Sequence, residues 1–175
     1  MKVVSISPLL SLLFCLAWVL PAYSQEASPF PWVESVPFET VEQGGISHYR
    51  YGDRSFAGAD MLIKDRRTWK EFWAAHTAGI QPPPALPYID FLNEMVIVTL
   101  LGYQTTGGGS KISVLKIGLG FNQKLLVFIE DDEKPGLLQV ITNPFHIIRL
   151  KRLPVRSLIF EHRGVHEGQP LVSDK

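Results

Sequence analysis

The sequence predicts a β-rich α+β fold: an antiparallel sandwich or partly open barrel carrying one amphipathic helix. Three observations lead there. Short apolar stretches broken by Gly, Pro and Asn recur along most of the chain. One segment alone takes up the period of a helix. The regular strand–helix alternation that builds a parallel sheet is absent.

Phe38 to Val41, His48 to Tyr51 and Met61 to Lys64 read as short strands between glycine-containing turns. After Lys64 the period changes. Asp65 is a helix cap, and Trp69, Phe72, Trp73 and His76 then fall at i, i+3, i+4 and i+7. This predicts a helix over Arg66 to Thr77, stopped by Gly79 and by Pro82-Pro83-Pro84, which favour an extended segment. Glu94 to Leu101 is apolar on both faces and reads as a central strand. Lys111 to Ile117, Lys124 to Asp131, Leu138 to Thr142, Phe145 to Lys151 and Val155 to His162 come after it as further strands. Glu130 to Glu133 reads as a solvated acidic turn.

The chain of 175 residues carries 17 Lys and Arg against 17 Asp and Glu. A balanced charge argues against a general nucleic-acid binder, which needs a basic footprint on phosphates. A hydrophobic content of 46% excludes a mainly disordered chain. Met1 to Ser24 holds one charge, Lys2, followed by an apolar run and by Ala22 and Ser24 at the −3 and −1 positions of a cut before Gln25. That is the layout of a secretory signal peptide. The reading places the signal at residues 1–24, a linker or arm at 25–36, one domain at 37–163 and a tail at 164–175. No membrane span is expected after cleavage. The single cysteine, Cys15, lies within the signal, and Phe14 before it is unlike a lipoprotein cut. A chain from Gln25 therefore has no disulfide framework, thiolate metal site or cysteine nucleophile.

The connection from Gly102 to Ser110 (GYQTTGGGS) is the most suggestive local feature. Gly107, Gly108 and Gly109 let the backbone approach another chain closely. Gly102 and Gly107 have phosphate-loop spacing, but glycines occupy the positions of the required Lys and Ser/Thr, so nucleotide binding is rejected. The loop is read either as a hairpin connection or as a binding loop. Asp90, within Pro87-Tyr-Ile-Asp90-Phe91, is expected to bond local backbone N–H groups and fix a turn, with a functional carboxylate as the alternative. His76 and His146 are expected to be buried and hydrogen-bonded. His162 and His166 have helical metal spacing, but the strand context and Gly164 argue against it; no metal or cofactor is expected.

Taken in order, these pieces resemble the C-terminal domain family of the protease-complex subunit PrcB. The resemblance runs through the Trp69 helix, Pro87-Tyr-Ile-Asp90-Phe91, Glu94-Met-Val-Ile, Gly102-Tyr-Gln-Thr-Thr-Gly-Gly108, and Thr142-Asn-Pro-Phe-His146-Ile-Ile-Arg-Leu150. The family pattern follows the glycine pair with an aromatic, where this chain has Gly109; Tyr103 lies on the same connection. The resemblance implies an exported, periplasmic or surface module without catalytic activity, accompanying a protein partner such as a protease. Independently of the family, the backbone-rich loop is the docking surface expected of such a module: Gly102, Tyr103, Thr105, Thr106, Gly107, Gly108, Gly109 and Ser110. Two rivals belong to other classes: a protease inhibitor with a projecting loop, and a hydrolase of cell-wall or glycan material using Asp90 or the Glu130–Glu133 acids.

Overall fold

The computed structural model describes residues 34–50, 58–105, 109–132 and 140–164. The expected signal peptide, most of the expected arm, Tyr51 of an expected strand, Thr106, Gly107 and Gly108, and all of the expected tail but Gly164 lie outside these. Among the described residues the chain forms β1 (Glu34–Ser35), β2 (Phe38–Gly44), β3 (Ala59–Ile63), α1 (Arg66–His76), β4 (Glu94–Leu100), β5 (Lys111–Gly120), β6 (Lys124–Asp132), β7 (Phe145–Lys151) and β8 (Ser157–Gly164). The strands make two four-stranded sheets, ordered β1-β5-β6-β8 and β2-β7-β4-β3. All pairings between these strands are antiparallel except β6 with β8, which run parallel. The architecture is a sandwich with a helix on one outer face.

Helix α1 follows its local chemistry. Asp65 caps it by accepting from Thr68 N–H at 2.9 Å and from Thr68 Oγ1 at 2.8 Å. Trp69, Phe72, Trp73 and His76 form its buried face. The left-handed φ of +84° at Gly79 turns the chain away beyond its end. The proline segment then returns beneath the helix, where Trp69 Nε1–H donates to Pro87 O at 3.0 Å and Trp73 Nε1–H to Pro84 O at 3.3 Å.

β4 is apolar on both faces because both are covered. Val96, Val98 and Leu100 meet the helix cluster with Ile63, Phe145 and Ile147. Met95 and Ile97 face the other sheet with Ile148, Leu150, Ile117, Leu125, Val127 and Ile129. At Gly58 an added Cβ would stand 2.6 Å from Leu100 O. Gly58→Ala is therefore expected to lower stability by about 1–3 kcal/mol, read from the urea midpoint.

The two open sides between the sheets are closed by side chains. On the first, residues 36–37 cross from β1 to β2, and Val36 N–H donates to Ile117 O at 2.9 Å. Gln43 Nε2 then donates to Ile112 O at 2.9 Å and Ser113 Oγ at 2.8 Å. Val114 N–H donates to His146 Nδ1 at 2.9 Å, beside the bulge between Val114 and Lys116. On the second side, His162 of β8 lies between Asp131 of β6, at 2.8 Å, and Asp60 of β3, at 2.7 Å.

Three sequence expectations need correction. Residues 48–50 are not a strand: Ile46 makes a single bridge to Asn143, and side-chain bonds from Ser47 and Asn143 hold the residues after it. Residues 140–142 form no strand either; Thr142 makes one bridge to Gln104, and Leu138 lies outside the described residues. Glu130, Asp131 and Asp132 belong to β6 and not to a turn, with Glu133 outside the described residues. Within the expected arm, Glu34 and Ser35 pair with Leu119 and Gly118, and Val36 is buried in the core.

Candidate functional site

Strand β4 runs toward the Gly102–Ser110 connection, which stands at one end of the sandwich. Its first residues are pinned down. Leu101 N–H donates to Pro144 O at 2.9 Å, and Gln104 and Thr142 exchange backbone bonds of 2.8 and 2.9 Å. Gly102 is buried with φ +88°, a left-handed conformation that glycine adopts without strain. Tyr103 is half-buried, Thr105 exposed and Gly109 half-buried. Ser110 is buried, and among the described residues its Oγ has no hydrogen-bond partner. Thr142 Oγ1 and Asn143 Oδ1, on the segment bonded to this loop and to Gly45, are likewise buried and without a partner among the described residues.

The segment from Gly44 to Tyr49 lies beside them. Asn143 N–H donates to Gly45 O at 2.9 Å, Ser47 N–H to Asn143 O at 3.0 Å, and Asn143 Nδ2 to Ser47 O at 2.9 Å. Between this segment and the start of β5 runs a groove of about 490 Å³ lined by Gln43, Gly44, Gly45, Ser110, Lys111, Ile112 and Ser113. Ile46 is 56% exposed and Ile141 64%, placing large aliphatic side chains in water at this same end. Among the described residues strand β2 pairs only with β7 and is an edge strand of its sheet.

Asp90 does local work. Its carboxylate accepts from Leu92 N–H at 3.1 Å and Asn93 Nδ2 at 2.8 Å, and Glu94 Oε2 accepts from Asp90 N–H at 2.9 Å. This arrangement holds the turn into β4 at the end opposite the glycine loop. His146 is buried beside the core with both ring nitrogens engaged. Because Nδ1 accepts from Val114 N–H, Nε2 carries the proton and donates to Thr40 Oγ1 at 2.9 Å. Burial pushes its pKa below the ordinary value. Asp90, His146 and the glycine loop are therefore three separate places and make no common constellation.

Two histidine relays escaped sequence reasoning. Ser47 Oγ, His76 Nδ1 (2.8 Å) and Glu42 Oε2, 3.4 Å from Nε2, have the order of a nucleophile–base–acid chain. Ser47 is, however, fully buried, and its Oγ already accepts Tyr49 N–H at 3.2 Å, so the relay ties the loop to the helix. Burial lowers the His76 pKa, the Glu42 carboxylate opposing it. At His162 burial also works downward, but Asp60 and Asp131 outweigh it and hold the imidazole above its ordinary pKa. Both relays join segments 29 or more residues apart, a proximity that no local pattern announces. Among the described residues no group of His, Cys, Asp and Glu is placed to hold a metal ion. No family model matches the chain, nor does any curated protein or solved structure.

Proposed function

We propose that the chain is an exported, non-enzymatic binding or stabilising module of an envelope or secreted protein complex, one whose partner is a protein such as a protease. The reading rests on the N-terminal signal pattern and on the resemblance to the PrcB domain family. The observation that carries it is the convergence at one end of the sandwich of an open groove, a strand edge, exposed Ile46 and Ile141, and the glycine connection. An extended partner segment laid along β2 would meet main-chain donors and acceptors there, and the groove would take its side chains.

The test is cross-linking of the tagged chain in envelope and secreted fractions, followed by substitution. A Cβ built at Gly45 meets nothing within 4 Å, so Gly45→Arg fills the groove without disturbing the fold. Combined with Thr105→Arg, it is expected to weaken partner binding about tenfold or more while the melting temperature stays put. Cross-links clustered at Lys111, lost in this variant, support the reading. A chain cross-linked only to itself overturns it, and nanomolar inhibition of purified proteases would replace it with the inhibitor reading.

A further inference from the structure

The end of the sandwich opposite the glycine loop is basic and studded with exposed apolar side chains. Strand β4 separates the two ends by about 20 Å. The strand starts at β2, β4, β6 and β8, the ends of β3, β5 and β7, and the first turn of α1 all meet here. The antiparallel registers and the short crossings at residues 36–37 and 152–156 require it. Beyond these strand ends project Tyr88, 77% exposed, Leu92, 86% exposed, and Phe121, 75% exposed. They come from two different connections, one entering β4 and the other joining β5 to β6.

Cations surround them. Lys64 and Arg66 line one shallow groove with Tyr88 and Leu92. Arg152 donates to Phe91 O at 2.6 Å and Lys64 O at 2.9 Å, which sets it against the same connection. Exposed Lys151 ends β7, and exposed Arg156 donates its N–H to Gln123 O beside the Phe121 turn. Most acids at this end are already engaged: Asp65 caps the helix, Asp90 holds its own turn, and Glu39 and Glu94 lie against Arg149. Among the described residues Glu34 is the remaining one. The chain as a whole is neutral, and at the other end Asp60, Glu130, Asp131 and Asp132 outnumber Lys111 and Arg163 among the described strand residues.

We propose that this end docks on an anionic lipid surface, with Tyr88, Leu92 and Phe121 seated among the headgroups and acyl boundary and the ring of Lys and Arg on the lipid charges. Tyr88, Leu92 and Phe121 stand out singly from two separate connections with cations between them, a spread that suits a deformable, charged interface. An aromatic or aliphatic tip within a basic rim is the chemistry that such interfaces select. The assignment does not rest on the partner-docking surface, which lies at the far end. If both hold, the module presents its partner outward from a membrane.

The test is flotation with vesicles of phosphatidylcholine alone and of phosphatidylcholine with about 30% phosphatidylglycerol. The chain is purified from the envelope of an expressing bacterium and its N-terminus read by mass spectrometry, so that a retained leader is not mistaken for the patch. Binding to the anionic vesicles is expected to be at least about tenfold stronger, and to be lost in about 0.5 M salt. Arg66→Glu, Lys151→Glu and Arg156→Glu together change exposed side chains and should abolish it with an unchanged melting temperature. Tyr88→Ser, Leu92→Ser and Phe121→Ser should weaken it even at low salt. Equal binding to both vesicle types, no binding, or undiminished binding by the charge variant would overturn the proposal. So would an acidic protein partner that the charge variant releases while vesicles bind neither form.

Discussion

Replacement of Trp69 by alanine is expected to lower the unfolding free energy by about 3–5 kcal/mol, the largest single-residue effect in this fold. The side chain is 1% exposed and sits where the helix, the proline segment and the β2-β7-β4-β3 sheet meet. Its ring lies 5.8 Å from that of Phe72 and 5.3 Å from that of Trp73. Truncation would open a cavity beneath the helix and also strand Pro87 O, which now accepts the indole N–H. An ordinary domain has only about 5–15 kcal/mol in hand, so the variant should melt well below the parent in a urea titration. Leu92→Ala is the control: at 86% exposure it should stay within about 0.5 kcal/mol. A Trp69→Ala cost below about 1 kcal/mol would show that the helix is not packed on the sheet as described.

The helix and the principal strands were legible in the sequence because their signal is local. The spacing of Trp69, Phe72, Trp73 and His76 marks one face of α1, and Asp65 and Gly79 mark its ends. The unbroken apolar run of β4 announces a strand covered on both faces, and the helix supplies the second cover. The features that escaped were set by distant contacts. Residues 48–50 have the composition of a strand, but Ser47 is bonded to His76 and Asn143, and the chain there follows side chains instead of a ladder. The acids at 130–132 look like a solvated turn until β8 arrives parallel to β6 and brings His162 against Asp131. Parallel pairing is specified by register over a long connection, which no turn residue encodes.

The candidate site was half legible in the same sense. Glycine content singled out the Gly102–Ser110 connection, whose described residues 102–105 and 109–110 follow the end of β4 and precede β5. Its neighbours there, Gly45, Ile46 and Ile141, come from segments separated by up to about a hundred residues, and only the closed sandwich assembles them. The basic end was hidden for a related reason. A net charge near zero averages over the molecule, whereas antiparallel strands sort their termini to opposite ends and the charges with them.

His146→Ala should cost about 2–4 kcal/mol, and it should also change how stability depends on pH. The imidazole accepts from Val114 N–H across the gap between the sheets while donating to Thr40, so truncation leaves a buried N–H without its acceptor. Its folded pKa is lowered, as is that of His76, so below the unfolded value of about 6.5 the unfolded chain holds more protons than the folded one. Stability must therefore fall as pH drops through 6.5 toward the folded values, by up to about 1.4 kcal/mol per pH unit for each such proton. His162 has the opposite sign. Its pKa is raised in the fold, so its contribution is complete below 6.5 and is lost as pH rises through the folded value. The histidines together predict a stability maximum near pH 6.5, with an acid limb belonging to His76 and His146 and an alkaline limb belonging to His162. Urea midpoints from pH 5 to 8 test this directly. His146→Ala should flatten the acid limb by up to one proton and leave the alkaline limb unchanged, while His162→Asn should do the reverse. An acid limb unaltered by His146→Ala would mean that the imidazole is already charged in the fold, and the Val114 bond to Nδ1 would then be wrong.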